Sequence, residues 1–427
     1  MEINSKDQII NYFLSGAKKN IFIGVENEKF LFQEKNNVRA TYSDIKKVFE
    51  ILIKKFEWKE VKENENIVGL KTDGKSISLE PGNQIELSGD KLSNIHEVCS
   101  ESYDFQNQLD QICKEIGLKT MSIGYDPITK LSNTPKNPKQ RYKLMTKEMP
   151  KGGKLSLNMM YQTSGTQINL DYLSEDDFKK KFKIISYLTP IAIGIFANSA
   201  ILENQPSGYL SYRSKVWQNT SRGGLPKIFL ENMDFEKYAD FAINFPLLFI
   251  YKNNDHKNLN NKTFGDFMKG SLSEVNNHLP TFEDLELHLS TIFTEIRLKK
   301  YIEMRSLDAC EWDCHCAGPA FYTGLIYGKL DESLDLIKDW KSEDVLKAYL
   351  DAPKKGLKTE INGKSILEWG KILLNISNKG LIGRNFKNKT GNDETIFLKN
   401  IEQILQQNKT KAEKTLVKFL LKKNNEY

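Results

Sequence analysis

Five glutamates carry the chemistry legible in this chain. Glu26 and Glu28 lie in the segment NIFIGVENEKFLFQ (residues 20–33), where Ile21, Ile23 and Val25 alternate with other residues. That is the period of a half-buried strand, so the two carboxylates project from one face, roughly 7 Å apart. Glu80 and Glu86 flank Pro81-Gly82, which folds a strand Ser76–Leu79 back onto Gln84–Leu87 and brings the pair together. Pro then Gly suits the central positions of a type II turn. Glu303 shares a strand face with Arg305, and Gln167, Asn169 and Asp171 share a face of another strand, opposite Ile168 and Leu170. Two charges about 7 Å apart repel by roughly 2 kcal/mol at an effective dielectric near 20. Gathered in one cup, such carboxylates need divalent cations. Hard oxygen ligands suit Mg²⁺, which also keeps phosphate oxygens in its shell. With arginines opposite, the cup is a metal–nucleotide site for phosphoryl transfer. Taken singly, each glutamate pair is equally what a solvated strand face presents, and strand parity alone does not bring distant strands together.

The elements that must position these groups are mixed. A short helix is predicted at Lys6–Leu14, and residues 92–117 show apolar residues at helical spacing. Strands are predicted at 156–163 and 167–172, joined by Ser164-Gly165-Thr166. Ser174 with Asp177 and Thr281 with Asp284 are N-terminal caps of two further helices. The second carries Leu285, Leu289, Ile292, Phe293 and Ile296 inward, and a strand Tyr301–Arg305 follows it. From Glu343 onward the pattern is helical and charged, punctuated at Pro353, Gly380 and Gly391. Hairpin signals outnumber βαβ units, which predicts an α+β fold with an antiparallel sheet carrying the site. Neither GxGxxG nor GxxxxGK[ST] occurs.

Composition narrows the class. The chain has 427 residues, 39% hydrophobic and 28% charged, the balance of a globular protein rather than a disordered or fibrous one. Length alone suggests about two or three domains of about 150 residues. Lys+Arg exceeds Asp+Glu, 62 against 56, but the lysines are scattered among asparagines and isoleucines rather than gathered into a stripe. A nucleic-acid binder is the competing reading, and the acidic cup argues against it, because phosphate backbones avoid such a surface without metal. The most apolar stretch, 184–202, is interrupted by Pro190, Gly194 and Asn198 and reads as a buried helix, not a membrane span. The N-terminus carries no signal-peptide pattern. Five cysteines, an odd number in a large chain, predict reduced thiols and a cytoplasmic setting. Cys310, Cys314, His315 and Cys316 lack standard zinc spacing, and adjacent side chains diverge, so they read as thiols in the core or in a loop.

Several segments in order resemble the plant and proteobacterial glutamate–cysteine ligases: GVENEKF (24–30), LEPGNQIELSG (79–89), MPKGGKLSLNMMYQTSGTQINLDYLSE (149–175), FANS (196–199), SYRSKVW (211–217), PTFEDLELHLSTIFTEIRLKKYIEMRSLDA (280–309) and GNDETIFL (391–398). The resemblance implies a glutamine synthetase-like catalytic fold, with a curved antiparallel sheet forming a funnel flanked by helices. It implies one catalytic domain over 1–427, with the sheet and active site at about 15–330 and a helical part at about 340–427. It implies ATP-dependent ligation of L-glutamate, through its side-chain carboxylate, to L-cysteine, by way of a γ-glutamyl phosphate. It also implies that Glu26, Glu28, Glu80, Glu86, Gln167 and Glu303 hold two or more Mg²⁺ ions, that Arg305 meets the transferring phosphoryl group, and that Arg213 clamps a substrate carboxylate. Arg222 is implied at the site entrance, in a loop shortened here to Thr220-Ser221-Arg222. The chain departs from the family at Asn83, where a second Gly is usual, and at Gln162-Thr163-Ser164 and Ser306-Leu307. Cys316 matches a family position. A sister carboxylate–amine ligase taking another amine is the alternative within enzymes.

Overall fold

The computed structural model describes residues 2–252, 255–259 and 262–424. Its main sheet contains β1 (Ile23–Gln33), β2 (Lys59–Glu63), β3 (Asn66–Thr72), β4 (Lys75–Leu79), β5 (Ile85–Ser88), β6 (Leu118–Met121), β7 (Gly165–Leu170), β8 (Ile296–Leu298) and β9 (Ile302–Asp308). The order is β8-β9-β7-β1-β5-β4-β3-β2, with β6 beside the second half of β1, and neighbours run antiparallel. The long β1 is the keystone. Its first half lies between β5 and β7, and it pairs with β7 across a contact 137 residues apart in sequence.

Alternation assigns the faces. Ile23, Val25, Ile168, Leu170, Ile302 and Met304 point to the back of the sheet and pack on the helix Glu175–Ile195 through Phe178, Phe182, Ile185 and Leu188. A second core joins Ile77, Leu79, Ile85 and Leu87 to the helices Tyr42–Phe56 and Ile95–Ile116. The apolar run around 184–202 thus lies largely in a buried helix, and among the described residues no helix is long and apolar enough to cross a membrane. With one face spent on these cores, the polar residues between are left to line the other. The predicted caps form: Ser174 accepts from the Asp177 N–H at 3.2 Å, and Thr281 and Asp284 bond reciprocally.

Several local expectations are corrected. Residues 156–163 form no strand. Ser156–Gln162 is a helix, and Thr163 returns its hydroxyl to the Met159 carbonyl at 2.6 Å. The segment SLNMMYQ contains no β-branched residue, so its apparent alternation was weak ground for a strand. The helix beginning at Phe282 ends at Ser290, which leaves Ile292 and Phe293 beyond it and Ile296 on β8. In the turn after β4 the left-handed residue is Asn83 (φ 61°), not Gly82, and the Asn83 N–H donates to the Glu80 carbonyl at 2.9 Å. A hairpin turn followed by one left-handed residue replaces the type II turn, at a position where glycine is the usual family residue.

Beyond Leu330 the described chain is mainly helical, interrupted by a short antiparallel hairpin of Glu360–Ile361 with Lys364–Ser365. Pro353 does not break the helix Ser342–Lys355. It lies in the last turn, and its carbonyl accepts the Leu210 and Ser211 N–H groups at 2.7 and 2.9 Å. Gly380 sits inside the helix Ile366–Arg384, where a Cβ would come within 2.0 Å of the Gly324 carbonyl oxygen. Two helical backbones touch there, which explains a glycine that its sequence position alone marks as punctuation. Gly380→Ala is expected to destabilise the protein by about 1–3 kcal/mol through overpacking. An unchanged denaturant midpoint would show that the helices do not approach this closely.

Candidate functional site

The five predicted glutamates converge on the front face of the sheet. Glu28 stands directly across from Glu86, and Glu86 across from Ser78. Glu26 faces Gln167 on β7, and Glu303 faces Asn169. Cross-strand neighbours of this kind have Cβ atoms about 5 Å apart, and like charges so placed repel. Their hydrogen bonds go only part of the way to offsetting that repulsion. Glu28 accepts from the Gly165 N–H at 2.6 Å and the Gln167 amide at 2.9 Å, and Glu26 from the Asn169 amide at 3.0 Å. The Ser78 hydroxyl approaches both Glu80 (2.7 Å) and Glu86 (3.3 Å) with one proton to give.

The consequence is electrostatic. Burial pushes the Glu28 carboxyl up to about 7, helped by Glu80. Burial and then Glu303 raise Glu26, while burial and then Glu26, Glu80 and Glu28 raise Glu86 well above the ordinary range. Glu303 goes the other way. Burial alone would raise it, but Arg297, Lys299 and Arg305 outweigh that and hold it ionised. Arg297 meets it with two nitrogens at 2.7 and 2.9 Å, Lys299 lies at 3.2 Å, and Arg305 bonds the same carboxylate. The cup therefore has a carboxylate side short of positive charge and, at Glu303, a knot of cations.

The predicted arginines part company. Arg305 and Trp217 line a cavity of about 70 Å³ with Glu28, Glu80, Tyr142 and Phe293. Arg213 is 1% exposed and slides beneath Gly165, where a Cβ would come within 2.7 Å of its Nη2. It donates Nη2 to the Arg305 carbonyl at 2.8 Å, and its Nε and Nη1 have no partner. Two buried guanidinium donors without a protein partner are suited to an anion. Arg222 does not join the group. Its Nε and Nη2 donate to Thr291 and its Nη1 to the Pro246 carbonyl, and the guanidinium stacks on Phe245. With every nitrogen engaged, it braces a loop, and the shortened segment does not carry it to the cup.

Further residues surround the carboxylates that the sequence reading did not single out. Tyr142 donates to Glu80 at 3.2 Å, and Lys139 to the Leu79 carbonyl at 2.9 Å. Arg39 pairs with buried Asp126 at 2.6 Å and bonds the Gly82 carbonyl, pinning the turn that carries Glu80. Asp308 accepts from Ser199, Ser211 and the Asn198 N–H at 2.7–2.8 Å, knitting three distant motifs behind Arg213. Arg297 was legible: it alternates with Ile296 and Leu298, which places it on the face of Glu303. Lys139, Tyr142 and Arg39 carried no such signal, because their contacts are long-range.

Could these residues hold Mg²⁺? The donor set is oxygen-only, Gln167 Oε1 and Asn169 Oδ1 are buried without partners, and three carboxyls are raised by burial and by neighbouring carboxylates. Those features fit a hard cation. Among the described residues no three acidic, histidine or cysteine side chains are already drawn together for an ion. Glu303, spent on its cations, is not free to ligate as expected. A larger cleft of about 690 Å³, between the β2–β3 hairpin and the helix Phe282–Ser290, lies outside the cup.

The cysteines are corrected too. Cys99 is bonded to Cys316 and Cys310 to Cys314, which leaves Cys113 as the free, buried thiol among the described residues. An odd count reports only that one thiol is left over, not that all are reduced.

The chain is similar to characterised enzymes along most of its length. It is 38% identical to the chloroplastic glutamate–cysteine ligase B of rice (Oryza sativa subsp. japonica), over 96% of this chain and 83% of that one. It is 37% identical to the chloroplastic glutamate–cysteine ligase of tomato (Solanum lycopersicum), over 96% and 79%. The crystal structure of a Francisella tularensis glutamate–cysteine ligase in complex with AMP aligns with a TM-score of 0.52 at 12% identity, covering 94% of this chain and 85% of that one, a likeness of fold. The glutamine synthetase-like α+β class is therefore established. The chloroplastic setting of these relatives overturns the cytoplasmic placement drawn from the cysteine count. The sequence matches the profile of glutamate–cysteine ligase family 2 over residues 22–425, and the chain belongs to that family.

Proposed function

We propose that this protein joins the side-chain carboxylate of L-glutamate to the amine of L-cysteine at the expense of ATP, giving γ-glutamylcysteine, ADP and phosphate, the first step of glutathione synthesis. The observation that carries this reading is the division of the cup into a carboxylate side short of cations and a guanidinium side short of anions.

The residues divide the work accordingly. Arg213, with two free donors, binds and orients a substrate carboxylate, for which a planar guanidinium is suited. Arg305, held by Glu303 and stacked 5.3 Å from the Trp217 ring, stabilises charge as the phosphoryl group passes to the glutamate side chain. Glu26, Glu28, Glu80 and Glu86, with Gln167, would hold Mg²⁺. When bound, such ions neutralise phosphate charge so that one anion can approach another. Tyr142 and Ser78 fix the direction of Glu80. Met145, Met159, Met160 and Phe293 wall the small cavity beside Arg305, and so keep bulk water from the acyl phosphate before the amine attacks.

Coupled ADP release tests the reading. ADP should appear only with ATP, Mg²⁺ and glutamate together, and cysteine should raise the rate above that with serine or alanine in its place. Release indifferent to glutamate would refute the ligase assignment. A faster rate with another amine would reassign the acceptor.

A further inference from the structure

Glu295 precedes β8 and lies across from Arg305, whose N–H donates to its carbonyl at 2.9 Å. The side chain is 1% exposed. Oε1 accepts from the Tyr349 hydroxyl at 2.9 Å, and the Ser306 hydroxyl also acts on the carboxylate. Arg213 and Arg305 both act on this carboxylate and oppose the rise that burial imposes on it. The same two arginines flank one ring, with Arg213 at 5.2 Å and Arg305 at 5.3 Å from the Trp217 centroid. Two guanidinium groups sharing an aromatic platform repel each other, and the buried carboxylate behind them supplies counter-charge. Glu295 itself does not line the cavity that Arg305 and Trp217 open onto. Its other tie runs to the C-terminal helices. Tyr349 belongs to Ser342–Lys355, and its carbonyl accepts from Gln218, the residue after Trp217, at 2.6 Å.

We propose that Glu295 is a positioning residue that keeps Arg213 and Arg305 stacked on Trp217 with their free edges toward substrate anions, and that Tyr349 fixes the carboxylate for that task. The identity of those anions rests on the ligase reading. Without the charge at 295, Arg213 turns to the other carboxylates that act with it, Glu28 and Asp308, and its free donors are lost to the substrate.

The test uses the full-length enzyme in the ADP-release assay. Glu295→Gln should raise KM for glutamate about tenfold or more and lower kcat similarly, the scale of a lost contact to a charged group, with KM for cysteine unchanged. Glu295→Asp keeps the charge and should recover part of kcat. Tyr349→Phe should raise KM for glutamate about threefold. A merely structural carboxylate would lower the melting temperature and leave both constants of the folded enzyme alone, and that result overturns the proposal. If Glu295→Gln does not fold, a wild-type KM for glutamate in Tyr349→Phe overturns it instead. If the wild type releases no ADP, the ligase reading has failed. The positioning claim is then decided by a crystal structure of Glu295→Gln, or of Tyr349→Phe if that variant alone folds: Arg213 displaced from the Trp217 face supports it, and an unmoved stack overturns it.

Discussion

Glu28→Gln is expected to cut ligase turnover at least about 100-fold and, in the same protein without metal, to raise stability at pH 8 by about 2 kcal/mol. Loss of activity with a gain in stability is the signature of a residue kept for a ligand rather than for the fold. Glu28 lies beside Glu80 and across from Glu86, and its carboxyl is raised from the ordinary 4.5 to about 7. The folded chain therefore holds a proton that the unfolded chain has released. The contribution of this group to stability is intact below about pH 4.5 and is lost as pH rises toward about 7. Glutamine keeps the acceptor for the Gly165 N–H and removes the penalty. Glu28 is only half-buried, so solvent at the cup screens the charge and keeps the effect below that of a fully dry site. For a chain of this size, about 2 kcal/mol corresponds to a shift in melting temperature of about 2 °C. Scanning calorimetry with and without Mg²⁺ at pH 5 and pH 8 reads it directly. Mg²⁺ should stabilise the wild type at pH 8 and much less at pH 5. A variant that is less stable than wild type at pH 8 would sink the account.

The same substitution at Glu303 is expected to do the opposite to stability. Glu303→Gln strands Arg297, Lys299 and Arg305 around a neutral amide that has no exposed surface, and should destabilise the fold by about 3–5 kcal/mol. The folded-state value of Glu303 lies below its ordinary 4.5, so its contribution is present near neutrality and is lost progressively as pH falls below about 4.5. Denaturant unfolding at pH 7.5 measures the difference. A midpoint equal to wild type would mean that the cations find other partners. Sequence alone shows Glu303 as one carboxylate among five and does not show the charges facing it.

That contrast marks where legibility stopped. Strand parity placed Glu26 and Glu28 on one face, and Glu303 with Arg305 on another, because side-chain direction in a strand is set by the backbone with period two. It could not place Glu28 across from Glu86, since cross-strand register depends on pairing between segments that do not know each other locally. Ser156–Gln162 was misread because alternating apolar residues over seven positions also fit two helical turns, and only packing chose between them. Arg213 lies in a matched motif, and Arg222 in a shortened loop that the resemblance implies only at the site entrance. The fold gave one of them two unpaired donors beneath Gly165 and consumed every nitrogen of the other on Thr291 and Pro246.

By itself the sequence determined the inventory: which oxygen ligands and guanidinium groups exist, which face of each element they leave by, and which family their motifs resemble. These are local properties, fixed by residue type and backbone period. Tertiary structure alone decided the electrostatic identity of each group: that Glu28, Glu86 and Glu26 resist ionisation, that Glu303 is held charged, and that two donors of Arg213 have no protein partner. The energy of a buried charge depends on every neighbour within a few ångströms, and those neighbours come from parts of the chain 92 and 137 residues apart.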